Sequence, residues 1–206
     1  RERALIGKDA TIREIHHRVK NNLQTVAAML RLQARRAGDD GIRDALAEAE
    51  LRVAAIAVVH ECLAGQDGES VAFDEVVDRV VMLVRDVAPA LGSHPVRITR
   101  TGSWGRLPAE IATPLATVVS ELLHNAVEHA AARSIAVDLD HEGDDLLLSV
   151  RDDGQGLPAG FDPTQAGLGL TIVESLVAGE LGGRVDYRSD GSGTTVAVRI
   201  THTPQA

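Results

Sequence analysis

The chain has 206 residues, 44% of them apolar and only 2% aromatic, and a formal net charge of −9. That length allows one large or two modest domains around a mainly aliphatic core. With no basic tract, the acidic balance argues against nucleic acid as a direct ligand. The lone Cys62 rules out an internal disulfide or a cysteine metal cluster and reads as a core thiol. No stretch of eighteen apolar residues or signal peptide is present, so a soluble, cytosolic fragment of a longer protein is expected.

Residues 1–36 read as one long helix, with Ile12, Ile15, Val19, Leu23, Val26 and Leu30 near one stripe. Gly38-Asp39-Asp40-Gly41 breaks it. A second helix runs to about residue 64, with Leu46, Ala49, Val53, Ile56, His60 and Leu63 alternating at spacings of three and four. That is the narrow seam of a coiled coil or bundle. The two form a helical hairpin with one apolar stripe too many, which a dimeric four-helix bundle would cover. The expected domains are 1–66, for dimerisation, and 70–206, with residues 65–70 as linker.

In the second domain, Asp74 is placed as the cap of a helix reaching Val87, with Pro89 as its stop. His94–Thr101 alternates as a strand, and Leu107-Pro108 reads as a short helical turn. Thr113-Pro114 reads as an N-cap followed by proline at the first helical position. Ser134–Asp140 and Leu146–Val150 read as strands around a Gly143-Asp144 turn. Leu168–Leu181 reads as a helix ended by Gly182-Gly183. Arg184–Arg188 and Thr194–Ile200 close the chain as a hairpin. The pattern is an α+β domain with helices layered on one antiparallel-rich sheet.

The helix after Pro114 carries Glu121 and Asn125 one turn apart on one face. A carboxylate and a carboxamide at that spacing can hold a hydrated Mg²⁺, a hard ion that takes a few protein oxygens plus water and phosphate. Two glycine-rich stretches follow, Asp152-Asp153-Gly154-Gln155-Gly156 and Gly167-Leu168-Gly169-Leu170. In this order the three segments resemble the N box and two glycine boxes of the GHKL (Bergerat) two-layer ATP-binding fold. The resemblance covers roughly residues 70–202. It implies ATP with Mg²⁺ on Asn125 and Glu121, and Asp152 accepting from the adenine amine. Gly154 and Gly156 would let the backbone approach the base and turn. Gly167 and Gly169, with Leu168 and Leu170, would seat phosphate oxygens at a helix N-terminus. Residues 157–166 would form a short lid pinned by Phe161, and Thr195 would match the family threonine near adenine. Many histidine kinases carry Lys three residues after the magnesium-binding Asn, where this chain has Glu128. With no Lys or Arg at positions 153–183, phosphate charge falls to Mg²⁺, the helix dipole, and His129 or Arg133.

Glu14-Ile15-His16-His17-Arg18-Val19-Lys20-Asn21-Asn22-Leu23 resembles the phosphoacceptor box of the HWE-related, type-two HisKA sensor kinases. At about 100° per residue, His16 falls roughly 60° from the centre of the apolar stripe and His17 roughly 160°. His17 is therefore the outward histidine and the expected acceptor, while His16 is placed at the bundle edge. Glu14 and Asn21 lie about one turn either side of His17. Glu14 is a candidate to orient the ring or take its proton, although a solvated charge is the plainer reading of it. Arg18 stands where many kinases of the wider family have an acid. The resemblance implies the core of a sensor histidine kinase, autophosphorylated on His17. It also implies a homodimer and transfer to the receiver domain of a response regulator, one with an RNA-binding output domain. The rival readings are a GHKL serine kinase or ATPase of the anti-sigma type, and a degenerate scaffold.

Overall fold

The structure is a computed structural model that describes residues 2–65, 69–87, 96–128, 130 and 132–201, with side chains from residue 11 onward except Thr164. The expected stop at Pro89, the strand start at His94 and the site residue His129 lie outside the described residues.

Helices α1 (Glu2–Arg36) and α2 (Asp40–Ala64) form the hairpin. Asp39 caps α2, its carboxylate accepting from the Ile42 amide at 3.0 Å. Ala27 and Ala34 are buried against α2, whereas Ile15, Val26, Met29 and Leu32 are exposed. The expected α1 stripe is therefore split between two faces, one of them uncovered. Of the expected α2 seam only Leu63 is fully buried, while Leu46, Ala49, Val53, Ile56 and His60 are half-buried. The buried face of α2 is centred on Leu51, Ala55, Val59 and Cys62. The cause is tertiary: α2 packs on α1 along one side and on two helices of the second domain along the other.

The second domain opens with β1 (Ser70–Ala72), α3 (Phe73–Val87), β2 (Arg97–Gly102), β3 (Arg106–Pro108) and α4 (Ala109–Glu128). β4 (Ser134–Glu142), β5 (Asp145–Asp152), α5 (Leu168–Ser175), β6 (Arg184–Ser189) and β7 (Thr194–Thr201) complete it. The main sheet has the order β2-β4-β5-β7-β6, with β2 and β4 parallel and the other pairs antiparallel. Ile135, Val137 and Leu139 on β4, and Leu146, Leu148 and Val150 on β5, are buried at alternate positions. They point to the helical layer, the expected two-layer α+β arrangement. One continuous core runs from Leu51 of α2 to Ile200 of β7.

Four local expectations are corrected. Leu107-Pro108 is strand, not helical turn, because β3 pairs with β1, Val71 opposite Leu107. α4 consequently begins at Ala109, and Pro114 lies inside it rather than at its first position. Asp74 is not an N-cap. It sits within the first turn of α3 and ties down the β2–β3 loop, accepting from Ser103 Oγ (2.6 Å) and the Trp104 (2.9 Å) and Gly105 (3.3 Å) amides. The helix expected to reach Leu181 leaves α geometry at Leu176–Glu180, where it widens into a π-turn.

Candidate functional site

A cavity of about 490 Å³ opens between α4, the end of β5, the 155–166 segment, α5 and β7. Leu122, Ala126, Val150, Leu170 and Val196 give it apolar walls, and Asn125, Asp152 and Thr194 give it polar ones. Asp152 is 8% exposed. Its Oδ1 accepts from the Gly154 amide at 2.8 Å and the Thr194 amide at 3.2 Å, which fixes the carboxylate at the cavity wall. The Asn125 Nδ2 is buried without a hydrogen-bond partner among the described residues, an orphaned donor on a residue that lines the cavity. Phe161 tilts against Tyr187 with ring centroids 5.5 Å apart, which ties the 155–166 segment to β6.

The glycines serve close packing as much as ligand approach. A Cβ on Gly154 would lie 2.1 Å from the Ala130 carbonyl oxygen, so this crossing requires glycine. Gly156 has a φ of +77°, and its Cβ would meet Ser189 Oγ at 2.5 Å. Gly169 lets α5 approach α4: a Cβ there would sit 2.5 Å from Glu121 Oε2 and 3.8 Å from Asn125 Oδ1. Gly167 precedes α5, Leu170 lines the cavity, and Leu168 is exposed. Thr195 lines a second cavity, beside Arg151 and Arg188, while its neighbour Thr194 lines the first. A strand alternates its side chains, so a shift of one residue reverses the face.

Glu121 is 2% exposed and does not line the cavity. Its carboxylate is held from the hairpin: Arg52 Nε donates to Oε1 at 2.5 Å and Arg52 Nη2 to Oε2 at 3.2 Å. Arg52 Nη2 also donates to Glu48 Oε2 at 2.7 Å. Burial pushes the Glu121 carboxyl above the ordinary range, and the Arg52 guanidinium opposes that push. Sequence reasoning missed Arg52. The available signal was a long cation among the half-buried apolar positions of α2.

On α1, His17 is exposed and His16 is half-buried, as the helical angles require. His16 Nδ1 lies 3.0 Å from His60 Nδ1, so His16 is a hairpin contact. Asn21 is exposed. Glu14 is exposed too, and accepts from Arg18 Nε at 2.7 Å. The bond and charge of Arg18 hold the Glu14 carboxyl below its ordinary value. Arg133 is exposed, and its backbone amide donates to Asp153 Oδ1 at 2.7 Å. Along α2, His60 marks the level of His16, and Arg52 marks the level of Glu121. The eight residues between them (60 − 52) span about 12 Å at the helical rise.

A helical hairpin with an outward histidine, joined to a two-layer domain with this cavity, is the architecture of a histidine kinase core. The family model described as "Histidine kinase" matches residues 14–88, and the "Histidine kinase-, DNA gyrase B-, and HSP90-like ATPase" model matches residues 110–204. The chain belongs to the histidine kinase family, and the match over the hairpin favours it over the anti-sigma reading. Among its relatives is the sensor histidine kinase PdtaS of Mycobacterium tuberculosis, 48% identical over 97% of this chain. PdtaS of Mycolicibacterium smegmatis is 47% identical over the same share. The chain spans 41% of the length of either. The histidine kinase domain of a blue-light-activated kinase from Erythrobacter litoralis superposes with a TM-score of 0.69 at 27% identity, covering 96% of this chain and 94% of that one. The ATPase-type domain implies ATP binding. No helix among the described residues is long and apolar enough to cross a membrane.

Proposed function

We propose that the chain is the catalytic core of a cytoplasmic two-component sensor kinase. The hairpin (1–66) carries the phosphoacceptor, and residues 70–206 bind ATP. The observation that carries this reading is an exposed histidine on the hairpin, His17, in a chain whose second domain presents a cavity with Asp152 and Asn125 on its walls.

The cavity fits a nucleotide. Its apolar walls suit a purine, and a carboxylate fixed by two amides suits the exocyclic amine of adenine. The orphaned Asn125 amide fits a metal–phosphate site: its oxygen would ligate Mg²⁺ and its nitrogen would donate to a phosphate oxygen. Magnesium bound there would neutralise charge on the β- and γ-phosphates. Gly167 has open space beside it at the start of α5, where phosphate oxygens would sit, and His129 is a further candidate for the phosphate charge. Glu121, held by Arg52, would be the nearby carboxylate available to help hold the magnesium ion.

The His17 ring nitrogen attacks the γ-phosphorus, the bond to the bridging oxygen breaks, and ADP leaves. The ring loses its remaining proton to solvent or to Glu14, and Asn21 flanks the phosphorylated ring. Phosphohistidine then passes its phosphoryl group to an aspartate of a response-regulator receiver domain. The resemblance implies a regulator with an RNA-binding output domain. Imidazole suits this step because it is substantially neutral near pH 7 and needs no strong base.

The uncovered face of α1, with Ile15, Val26, Met29 and Leu32, is the homodimer surface. Each such side chain gains roughly 1.5–3 kcal/mol on burial, so the chain should scatter light as a dimer, and a monomer at micromolar concentration would count against this surface. Incubation with γ-labelled ATP and Mg²⁺ tests the chemistry. Acid-labile, base-stable label on the protein is expected; acid-stable label, or none, would refute the reading.

A further inference from the structure

Two turns of α2 meet α4 through a cluster that the phosphotransfer chemistry does not use. Glu48, His124 and Glu128 bring one ligating atom each to within 4.8 Å of one another. His124 is only 5% exposed, although α4 is otherwise buried there by aliphatic side chains. Its Nε2 is buried and lacks a properly directed hydrogen bond, although Glu128 Oε2 lies 2.8 Å away. An aligned His–Glu hydrogen bond would satisfy this nitrogen; the contact observed is close without that alignment.

We infer that Glu48, His124 and Glu128 form a divalent transition-metal site that staples the hairpin to the nucleotide-binding domain. His124 and Glu128 stand one turn apart on α4, the spacing at which a helix presents two ligands to one ion. Glu48 supplies the third ligand from the other domain. Imidazole with two carboxylates suits Zn²⁺ and its neighbours, not Mg²⁺, which prefers oxygen and water. Zinc bonds of about 2.0–2.2 Å set tetrahedral ligand atoms roughly 3.5 Å apart, so a side-chain rotation of order 1 Å completes the shell. A water molecule takes the fourth position.

Arg52 is bonded to both Glu48 and Glu121. Arg52 also orients the Glu48 carboxylate from outside the shell, the kind of support that metal ligands receive from their neighbours. The ion would hold α4 at the Arg52 level of α2, about 12 Å from the His16 level, and so keep the nucleotide domain from His17. This consequence rests on the kinase reading; the metal site does not.

The test titrates the whole chain with zinc chloride against a chromophoric chelator, without ATP, and repeats it on Glu48→Gln, His124→Gln and His60→Gln. One zinc ion per chain is expected, with affinity reduced at least ~10-fold in the first two variants and unchanged in the third. Glu48→Gln is isosteric at a half-buried position and keeps the conclusion independent of any folding defect in His124→Gln. Absence of micromolar zinc binding, or wild-type affinity in Glu48→Gln, would overturn the site. Loss in His60→Gln alone would move it to the histidine pair and overturn it equally. Zinc should also slow phosphate incorporation in the wild type and spare Glu48→Gln; binding without slowing would overturn the staple. Should the zinc-free protein take no label at all, the kinase reading fails while the zinc titration still decides the site.

Discussion

The two helices that carry the candidate site residues hold them in opposite settings. α1 holds Glu14, His17 and Asn21 in solvent, whereas α4 holds Glu121 and His124 almost wholly buried and Asn125 at the edge of a cavity. A phosphoacceptor must meet a nucleotide and then a second protein, so exposure suits it. Groups that handle charge on a nucleotide gain from a fixed, low-dielectric setting. The cost is that each buried ion on α4 needs a partner, and for Glu121 that partner comes from the hairpin. The nucleotide domain is thus docked through the residues it would use for catalysis.

The largest expected effect breaks the α4 side of this contrast. Arg52→Ala leaves Glu121 buried without its cation, a change that costs about 3–5 kcal/mol when both partners are enclosed. Denaturant unfolding should show that loss, and adding Glu121→Gln should recover part of it. An unchanged midpoint in Arg52→Ala would mean that the domains are not held together by this pair.

Asn125→Ala sharpens the contrast at the cavity edge. Phosphoryl transfer and Mg²⁺-dependent ATP binding should each fall at least ~100-fold, since even indirect metal supports cost 10–100-fold. Asp152→Ala should instead weaken ATP and ADP alike, in Mg²⁺ or in EDTA, and relax discrimination against GTP. Titrations in both buffers separate the two; identical profiles would refute the division of roles.

The smallest effect lies far from either helix. Burial opposes ionisation of Asp74, but bonds from Ser103, Trp104 and Gly105 prevail and hold its carboxyl below its ordinary value. A carboxyl depressed on folding adds stability that is present above its unfolded pKa and lost as pH falls through the folded value. Asp74→Asn should cost about 1–2 kcal/mol at neutral pH, and the difference from wild type should shrink on acidification. A constant difference across that range would show that the Asp74 charge does not matter.

Much of this was legible because periodicity reports exposure directly. The hairpin, the strands from Ser134 onward and the opposite settings of His16 and His17 follow from the spacing of apolar residues. What periodicity cannot report is which polar group meets which across elements. Arg52 with Glu121, and Glu48 with His124, are pairings set by the docking of α2 on α4, at separations of 69 and 76 residues (121 − 52 and 124 − 48). Thr194 was missed in favour of Thr195 because a motif gives a neighbourhood while strand register decides the face. Pro114 misled for a similar reason: β1 pairing with β3 ends at Pro108 and starts α4 earlier than the local cap signal.

Site-resolved phosphorylation tests the central claim most directly. Wild type, His17→Gln and His16→Gln, each shown folded and binding ATP, would be incubated with γ-labelled ATP and Mg²⁺, and the acid-labile label counted. If the exposed ring is the nucleophile and the half-buried one only packs on His60, no label is expected on His17→Gln and measurable label on His16→Gln. Equal loss in both variants, or label retained in His17→Gln, would contradict it.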